Sequence, residues 1–392
     1  MKDIYITAST RTPLAGFQGA FTSLTAPQLG AVAIKSTLEK AGLNHDQVDE
    51  VYFGNVVSAG LGQAPARQAA LQAGLSDHTP CTTVSKVCGS GMKAVMLAAD
   101  AIQCGHSDII IAGGMESMTN APYLLANARQ GHRLGHKATK DALFLDGLED
   151  AQSGRLMGEF GQQTADRFNI TREQMDDYAL ESLRRASRAK DSGHFEHEIT
   201  PVSVKTRTGE TKVLHDEQLG TAKPEKIRTL KPAFIKDGSI TAANSSSISD
   251  GAAALTIMSA EALAQNNGSA AEAKICAYAS HAQKPEEFTL APIGAIQKVL
   301  EQTGWNKDEV DLYEINEAFA VVVIQAMAVL ELDCEKVNIH GGACALGHPL
   351  GASGARIIVT LIHALRKLGK TRGIAALCIG GGEATAIAIE VI

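Results

Sequence analysis

Short apolar runs alternate along the chain with stretches of helical periodicity, and glycines separate many of them. The runs Ile109–Ala112 and Ile374–Leu377 are short enough to predict buried strands. Between Met92 and Ile102 the apolar residues recur every three or four positions, which is the spacing of one helix face. This alternation predicts an α/β fold built from packed layers.

A similar layout occurs near both ends of the chain. A glycine-containing turn at Cys88–Gly91 precedes a helix and an apolar strand from Asp108 to Gly114. A second turn at Gly351–Gly354 again precedes a helix and a strand, here from Gly373 to Gly382. The repetition predicts an internal duplication, with a few extra residues in the second copy.

The stretch between the two copies, residues 119–250, has a different character. It is richer in His, Arg, Lys and Gly and poor in apolar runs, so we interpret it as an inserted loop domain. One helix is predicted within it, because Thr171 and Gln174 have the spacing of a capping box. The predicted domains are therefore residues 1–118, 119–250 and 251–392.

Composition favours an enzyme that acts on small molecules. The chain has 392 residues, 45% hydrophobic and 20% charged, which is enough for a large core and more than one packed unit. The net charge is -7, and no run of like charge marks a surface for nucleic acid or membrane. The N-terminal residues read as a first strand and contain no apolar stretch of signal-peptide or membrane-span length.

The cysteines indicate a reducing compartment. There are seven, an odd number, and none forms a CxxC pair. A chain of this size does not need disulfides to fold, so we expect a cytoplasmic protein without thiolate-bound metal.

Cys88 is the first candidate for chemistry. It precedes Gly-Ser-Gly and a predicted helix, so its sulfur is expected at a helix N-terminus, where N–H groups and the helix dipole favour thiolate. The glycines allow a tight strand-to-helix turn like that of other nucleophiles. Taken alone, however, Cys88 is better interpreted as a small buried apolar residue.

Three further side chains could join such a nucleophile. His348 lies in a glycine-dense segment and could act as general base, although a loop histidine bonded to backbone is the alternative. Cys378 ends a predicted strand before Gly380–Gly382, where a thiolate could remove a proton next to a thioester and backbone N–H groups could bind an oxyanion. Asn316 follows a predicted strand, Val310–Ile315, and is either a helix cap or an amide that positions a water or a carbonyl.

Four segments together resemble the thiolase family, in order and at the family's separations, over essentially the whole chain. They are Val87–Lys93, Asn316–Ala320, Gly341–Arg356 and Cys378–Gly382. The resemblance implies a five-layered αβαβα thiolase fold with two pseudo-symmetric halves and an inserted loop domain that covers coenzyme A. It also implies a homotetramer, assembled as a dimer of dimers.

The resemblance also implies roles for these residues. Cys88 would be acylated, His348 would activate it, and Cys378 would exchange the substrate's α proton. A water held by Asn316 would form one oxyanion hole with His348, and the N–H groups of Cys88 and Gly380 would form the other. Seven residues would line the pantetheine tunnel: Leu148, Met157, Phe234, Ala242, Ser246, Ala318 and Phe319. Coenzyme A would be substrate and product, so no bound cofactor or metal is expected.

The implied activity is that of an acetyl-CoA C-acetyltransferase, which condenses two acetyl-CoA to acetoacetyl-CoA by a ping-pong route and also catalyses the reverse thiolysis. Ala352-Ser353 favours this short-chain branch, because Cys-Thr often stands there in the long-chain branch. The alternatives are a thiolase of broader chain length, a condensing enzyme of the β-ketoacyl synthase type with a second histidine in place of Cys378, and an inactive module that binds coenzyme A or lipid. Four positions depart from the family pattern and bear on substrate range and coenzyme affinity: Ser85, Leu156, His340 and Glu383.

Overall fold

The computed structural model describes residues 2–207, 209–266 and 269–392. The first part of the chain alternates strands and helices, as the apolar pattern predicted. Its elements are β1 (Ile4–Arg11), β2 (Ala15–Gly16), α1 (Ala26–Lys40), β3 (Glu50–Gly54), α2 (Pro65–Gln72), β4 (Cys81–Val84), α3 (Ser90–Gln103) and β5 (Ile109–Ser117).

The following segment contains short hairpins and two long helices. Its elements are β6 (Tyr123–Leu124), β7 (Lys140–Asp141), a π-helical turn (Phe144–Leu148), α4 (Met157–Phe168), α5 (Arg172–Asp191), β8 (Val202–Thr206), β9 (Gly209–Val213), α6 (Gln218–Thr221) and a 3₁₀ helix (Pro224–Thr229). The predicted capping box of α5 is confirmed, because Thr171 accepts a hydrogen bond from the Gln174 N–H and the Gln174 side chain accepts one from the Thr171 N–H.

The last part returns to alternating strands and helices. Its elements are β10 (Ser249–Ser259), α7 (Ala260–Gln265), β11 (Ala273–Ala282), α8 (Ala291–Thr303), β12 (Leu312–Ile315), α9 (Ala320–Leu330), α10 (Ala343–Leu346), α11 (Leu350–Leu368), β13 (Arg372–Ile379) and β14 (Glu383–Val391). The two predicted buried strands lie within β5 and β13. The strand predicted from Val310 begins two residues later.

The strand order repeats, as expected of a duplication. In the first half it is β4-β3-β5-β10-β1, with parallel pairing from β4 to β5 and antiparallel pairing from β5 to β1. The second half repeats the pattern as β12-β13-β14-β11, and a parallel bridge between Val337 and Tyr313 stands where β4 stands in the first half. A short antiparallel contact between β1 and β11 joins the two halves into one sheet.

Helices and half-sheets stack in five layers, which confirms the predicted architecture. α1 and α2 cover the outer face of the first half, and α8 covers that of the second. α3 and α11 pack against each other between the halves, and they come so close that a Cβ at Gly354 would lie 2.5 Å from the Met92 nitrogen. The N-termini of both central helices point to the same region, which brings the segments of Cys88 and His348 together.

Candidate active site

An apolar cavity of about 620 Å³ lies between the inserted segment and the N-termini of α3 and α11. Cys88, His348 and Gly380 contribute to its wall. So do all seven residues predicted to line a tunnel, and they are Leu148, Met157, Phe234, Ala242, Ser246, Ala318 and Phe319. Their contact with coenzyme A stays a prediction.

The turn that carries Cys88 is strained and tightly held. Val87 has a φ of 45°, a left-handed conformation that costs a β-branched residue about 1–3 kcal/mol. The Ser90 hydroxyl offsets this cost, since it accepts from the Lys86 N–H at 2.8 Å and donates to the Val87 carbonyl at 2.7 Å. An ion pair between Lys86 and Glu383 ties the turn to the start of β14.

Two opposing effects act on the Cys88 thiol. Burial raises the pKa of Cys88 to about 11, although the N–H groups of Gly380 and of Cys88 itself point to the sulfur and favour the thiolate. Loss of water around the sulfur outweighs these donors, so the pKa shift favours the thiol over the thiolate that the helix N-terminus suggested. Cys88 therefore needs a base to become a nucleophile.

Hydrogen bonds favour one tautomer of His348. The Ser353 hydroxyl can donate to the Pro349 carbonyl at 2.9 Å, and it then accepts from Nδ1–H of His348, 2.5 Å away. This pattern places the proton on Nδ1 and leaves the lone pair on Nε2. The Asn316 amide nitrogen lies 3.5 Å from Nε2, on the side of this lone pair.

His348 is also kept neutral. Burial, and then the positive charge of Arg356, lower the pKa of its imidazole to about 3. At neutral pH the ring is therefore unprotonated, with a free lone pair on Nε2. Because Cys88 holds its own proton tightly, the two residues are a thiol and an imidazole at rest, not an ion pair.

Cys378 and Asn316 lie behind the cavity wall. Cys378 is fully buried near the end of β13, and burial together with the nearby charge of Cys88 raises its pKa well above the ordinary value. Asn316 is not a helix cap, because α9 begins at Ala320 with Phe319 as its N-cap residue. Its Oδ1 is buried and has no hydrogen-bond partner among the residues described.

A second cavity of about 470 Å³ adjoins the first and shares four lining residues with it: Gln218, Thr221, Ala242 and Ser247. Lys223 and Lys226 also line it. Neither lysine has an ion-pair partner within the described part of the chain. The apolar cavity thus continues into a space with two free positive charges.

Three of the positions that depart from the family pattern have defined surroundings. Glu383 pairs with Lys86, and Leu156 lines the apolar cavity. His340 packs on His194 with 4.5 Å between ring centroids, and burial lowers the pKa of His340 to about 4. Among residues 2–207, 209–266 and 269–392, no group of three or more metal-ligating side chains is assembled, and no helix has the length and apolar character to cross a membrane.

Comparison with known families gives one consistent result. The family model described as "Thiolase, N-terminal domain" matches residues 4–261, and "Thiolase, C-terminal domain" matches residues 269–391. Acetyl-CoA acetyltransferase 2 of Arabidopsis thaliana is 49% identical over 100% of this chain and 98% of its own length. The acetyl-CoA acetyltransferase of Pseudomonas aeruginosa is 45% identical over 99% of both chains.

Solved structures agree with this result. The acetyl-CoA acetyltransferase of Bacillus anthracis superposes with a TM-score of 0.97 at 39% identity, over 100% of this chain and 99% of that one. A thiolase from Ascaris suum in complex with coenzyme A superposes with a TM-score of 0.94 at 43% identity, over the full length of both chains.

Proposed function

Because the chain belongs to the thiolase family, we propose that it is an acetyl-CoA C-acetyltransferase that condenses two acetyl-CoA and also catalyses the reverse thiolysis. The observation that carries the proposal is the group of residues that the wall of the apolar cavity brings together. There the thiol of Cys88 and the neutral imidazole of His348 share one wall with Gly380, whose N–H points to the Cys88 sulfur.

In the first half-reaction, Cys88 attacks the thioester carbonyl of acetyl-CoA while Nε2 of His348 accepts its proton. The N–H groups of Cys88 and Gly380 bind the oxyanion, an interaction whose loss costs about 100- to 1,000-fold in rate when one donor is removed. The C–S bond to coenzyme A then breaks, and the departing thiolate takes the proton from His348. Cys88 is left as an acetyl thioester.

In the second half-reaction, Cys378 as thiolate removes an α proton from a second acetyl-CoA. A water held by Asn316 would stabilise the resulting enolate oxygen together with His348. The carbanion attacks the acetyl group on Cys88, which forms the new C–C bond and breaks the thioester. The proton that Cys378 first loses is held by His348 and passes to the Cys88 sulfur when the thioester breaks, so the protons balance.

The two cysteines act in turn and do not ionise together. Burial, and then the charge that a Cys88 thiolate carries, raise the pKa of Cys378. A thioester on Cys88 carries no charge, so a Cys378 thiolate formed beside acetylated Cys88 meets no second anion.

The two adjoining cavities match the two parts of coenzyme A. The apolar cavity suits the pantetheine arm, along the seven residues predicted for it. The second cavity carries Lys223 and Lys226, whose charges complement the phosphates of the nucleotide. The acyl chain is proposed to be short, as the Ala352-Ser353 pair indicated, and no bound cofactor is needed for either half-reaction.

We further propose a homotetramer in the cytoplasm. The segment around β6 and β7 exposes Tyr123 (69%), Leu125 (47%) and Leu134 (88%), and β4 lies at one edge of the sheet. Such apolar and edge surfaces are typical of subunit contacts. Light scattering on the purified protein tests the oligomeric state.

Cell fractionation tests the proposed cytoplasmic location, since relatives named acetyl-CoA acetyltransferase include mitochondrial ones from rat and mouse.

The decisive assay is the release of acetyl-CoA from acetoacetyl-CoA plus coenzyme A, run beside 3-ketohexanoyl-CoA and longer homologues. We expect turnover of acetoacetyl-CoA, and loss of that turnover in the Cys88→Ala variant. Comparable turnover of long chains would assign the broader-chain thiolase activity instead. If no homologue is turned over while coenzyme A still binds, the inactive binding module is the better assignment.

A further inference from the structure

Glu116 is a buried carboxylate that the reaction above does not use. It lies near the end of β5 and is fully shielded from solvent. An ionised carboxylate is costly to bury unless it is hydrogen-bonded, so the donors around it indicate what it holds together.

Four donors converge on its two oxygens. Oε1 accepts from the Asn55 side chain at 2.7 Å and from the Val57 N–H at 3.2 Å. Oε2 accepts from the Val56 N–H at 3.0 Å and from the Gly351 N–H at 2.8 Å. Three donors belong to the loop after β3, in the first half of the molecule, and the fourth lies in the first turn of α11, in the second half.

Glu116 thereby caps α11 from another part of the chain. The first N–H groups of a helix need acceptors, and Pro349, the N-cap residue of α11, has no side chain that can provide one. A carboxylate at this end also interacts favourably with the helix dipole. The backbones approach closely here, since a Cβ at Gly114 would collide with the Gly351 carbonyl.

Both sides of this contact adjoin the reacting groups. Gly351 follows His348 by three residues, and Leu350 and Val57 belong to one apolar cluster that packs against Cys88. We propose that Glu116 is a positioning residue of the acetyl transfer: its ionised carboxylate holds the first turn of α11, and with it His348, against the Asn55–Val57 loop beside Cys88. The proposal rests on the acetyltransferase function proposed above.

The charge state of Glu116 gives this role a pH dependence. Burial raises its pKa to about 7, the N–H groups of Val56, Gly351 and Val57 oppose the shift, and Asp250 on β10 adds to it. Protonation puts an O–H where N–H donors point, so the contact weakens as pH falls through about 7. Cys88 and His348, which face the same region, have pKa values near 11 and 3 and do not titrate there. Activity should therefore rise as pH rises through about 7.

The Glu116→Gln variant tests the proposal through thiolysis of acetoacetyl-CoA. Because each carboxylate oxygen accepts two N–H groups, the amide NH₂ must face donors in either orientation. We expect the ratio of wild-type to variant kcat to be about tenfold or more at about pH 8.5 and to approach one at about pH 6, where the wild type is itself protonated. KM for coenzyme A should stay unchanged, since Glu116 does not line the cavity.

Two further variants sharpen the test. Glu50→Gln on β3 is the matched control, since the Glu50 carboxylate accepts from the hydroxyls of Tyr52 and Ser107. The ratio of wild-type to Glu50→Gln kcat should be one at both pH values. Asn55→Ala removes one donor but keeps the carboxylate. This variant should raise the pKa of Glu116, so the fall of kcat at low pH should move to higher pH. It replaces Glu116→Gln as the test if Glu116→Gln does not fold.

The proposal would be overturned if the ratio of wild-type to Glu116→Gln kcat were the same at both pH values. It would also be overturned if Asn55→Ala left the fall of kcat at low pH where it is in the wild type. Failure of the proposed acetyltransferase function would give a different result. In that case the wild type itself would turn over no 3-ketoacyl-CoA at any pH, and the positioning role would fall with it.

Discussion

Ser353 favours the tautomer of His348 with the proton on Nδ1, since a hydroxyl that donates to the Pro349 carbonyl accepts from that nitrogen. In the Ser353→Ala variant the imidazole loses this partner and can place its proton on Nε2, where it cannot accept from Cys88. We expect kcat to fall about tenfold or more, with KM for coenzyme A little changed, in steady-state thiolysis of acetoacetyl-CoA. Ser353→Thr keeps the hydroxyl and should retain most of the activity. Equal losses in both variants would mean that packing, not the tautomer, matters at this position.

The thiol of Cys88 should titrate far above neutrality. Burial raises its pKa to about 11, so the fraction of thiolate in the free enzyme rises with pH up to that value. We expect the rate of Cys88 alkylation by iodoacetamide, followed by peptide mass spectrometry, to increase without a plateau between about pH 7 and 10. The Cys88→Ala variant gives the background from other cysteines. A plateau below about pH 8 would mean that a thiolate is already present at rest and would contradict this assignment.

At the scale of single residues, the sequence names candidates for the site but does not predict their charge states. The glycine-rich segments and the resemblance point to Cys88, His348, Cys378 and Asn316 by number. They do not predict the shifts in pKa, because these depend on how much water the folded chain removes and on distant groups such as Arg356. Ser353 lies within one of the family motifs, but its role could not be predicted, since its contact with His348 exists only after α11 has formed.

The central helices depend on glycine at their crossing. A Cβ at Gly354 would lie 2.5 Å from the Met92 nitrogen, and this atom is backbone, so it cannot swing aside. We expect Gly354→Ala to lower the free energy of unfolding by about 1–3 kcal/mol, measured by urea denaturation, through overpacking. Gly220→Ala is the control, because a Cβ at Gly220 would meet nothing within 4 Å. A Gly354→Ala variant as stable as the wild type would show that the two helices can separate slightly without cost.

Elements with a clear period were predictable, and those set by tertiary contacts were not. The apolar spacing of α3, the capping box of α5 and the runs in β5 and β13 carry their own signals. The start of α9 does not, because Asn316 looks like a cap in sequence while the helix begins only at Ala320, after Phe319 has formed a bridge with Ser245. Glu116 does carry a signal, namely an acidic residue at the end of an otherwise apolar strand, but the donors that give it a role come from distant parts of the chain.

For the whole molecule, the repeated turn-helix-strand layout predicted the duplication, and the repeated strand order bears this out. The sequence could not predict the antiparallel contact of β1 with β11, because Tyr5 and Lys274 pair across 269 residues without a local signal. The same holds for the inserted segment, whose composition indicates an insertion but not that its α4, α6 and loops form one side of the cavity. The domain boundaries at 118 and 250 stay predictions.

The continuity of the two cavities leads to a prediction about the entire substrate. If the nucleotide of coenzyme A lies beside Lys223 and Lys226, the double variant with alanine at both positions should raise KM for acetoacetyl-CoA by about fivefold, close to 1 kcal/mol, with kcat unchanged. Acetoacetyl-pantetheine has no phosphates, so its KM should be the same in both proteins, and added salt should reduce the difference for the coenzyme A ester because it screens exposed charges. Alanine at Lys367 and Lys370, which line neither cavity, removes the same charge and should change neither KM. An equal rise in KM for both esters would instead mean that the lysines shape the pantetheine path, and the nucleotide would have to lie elsewhere.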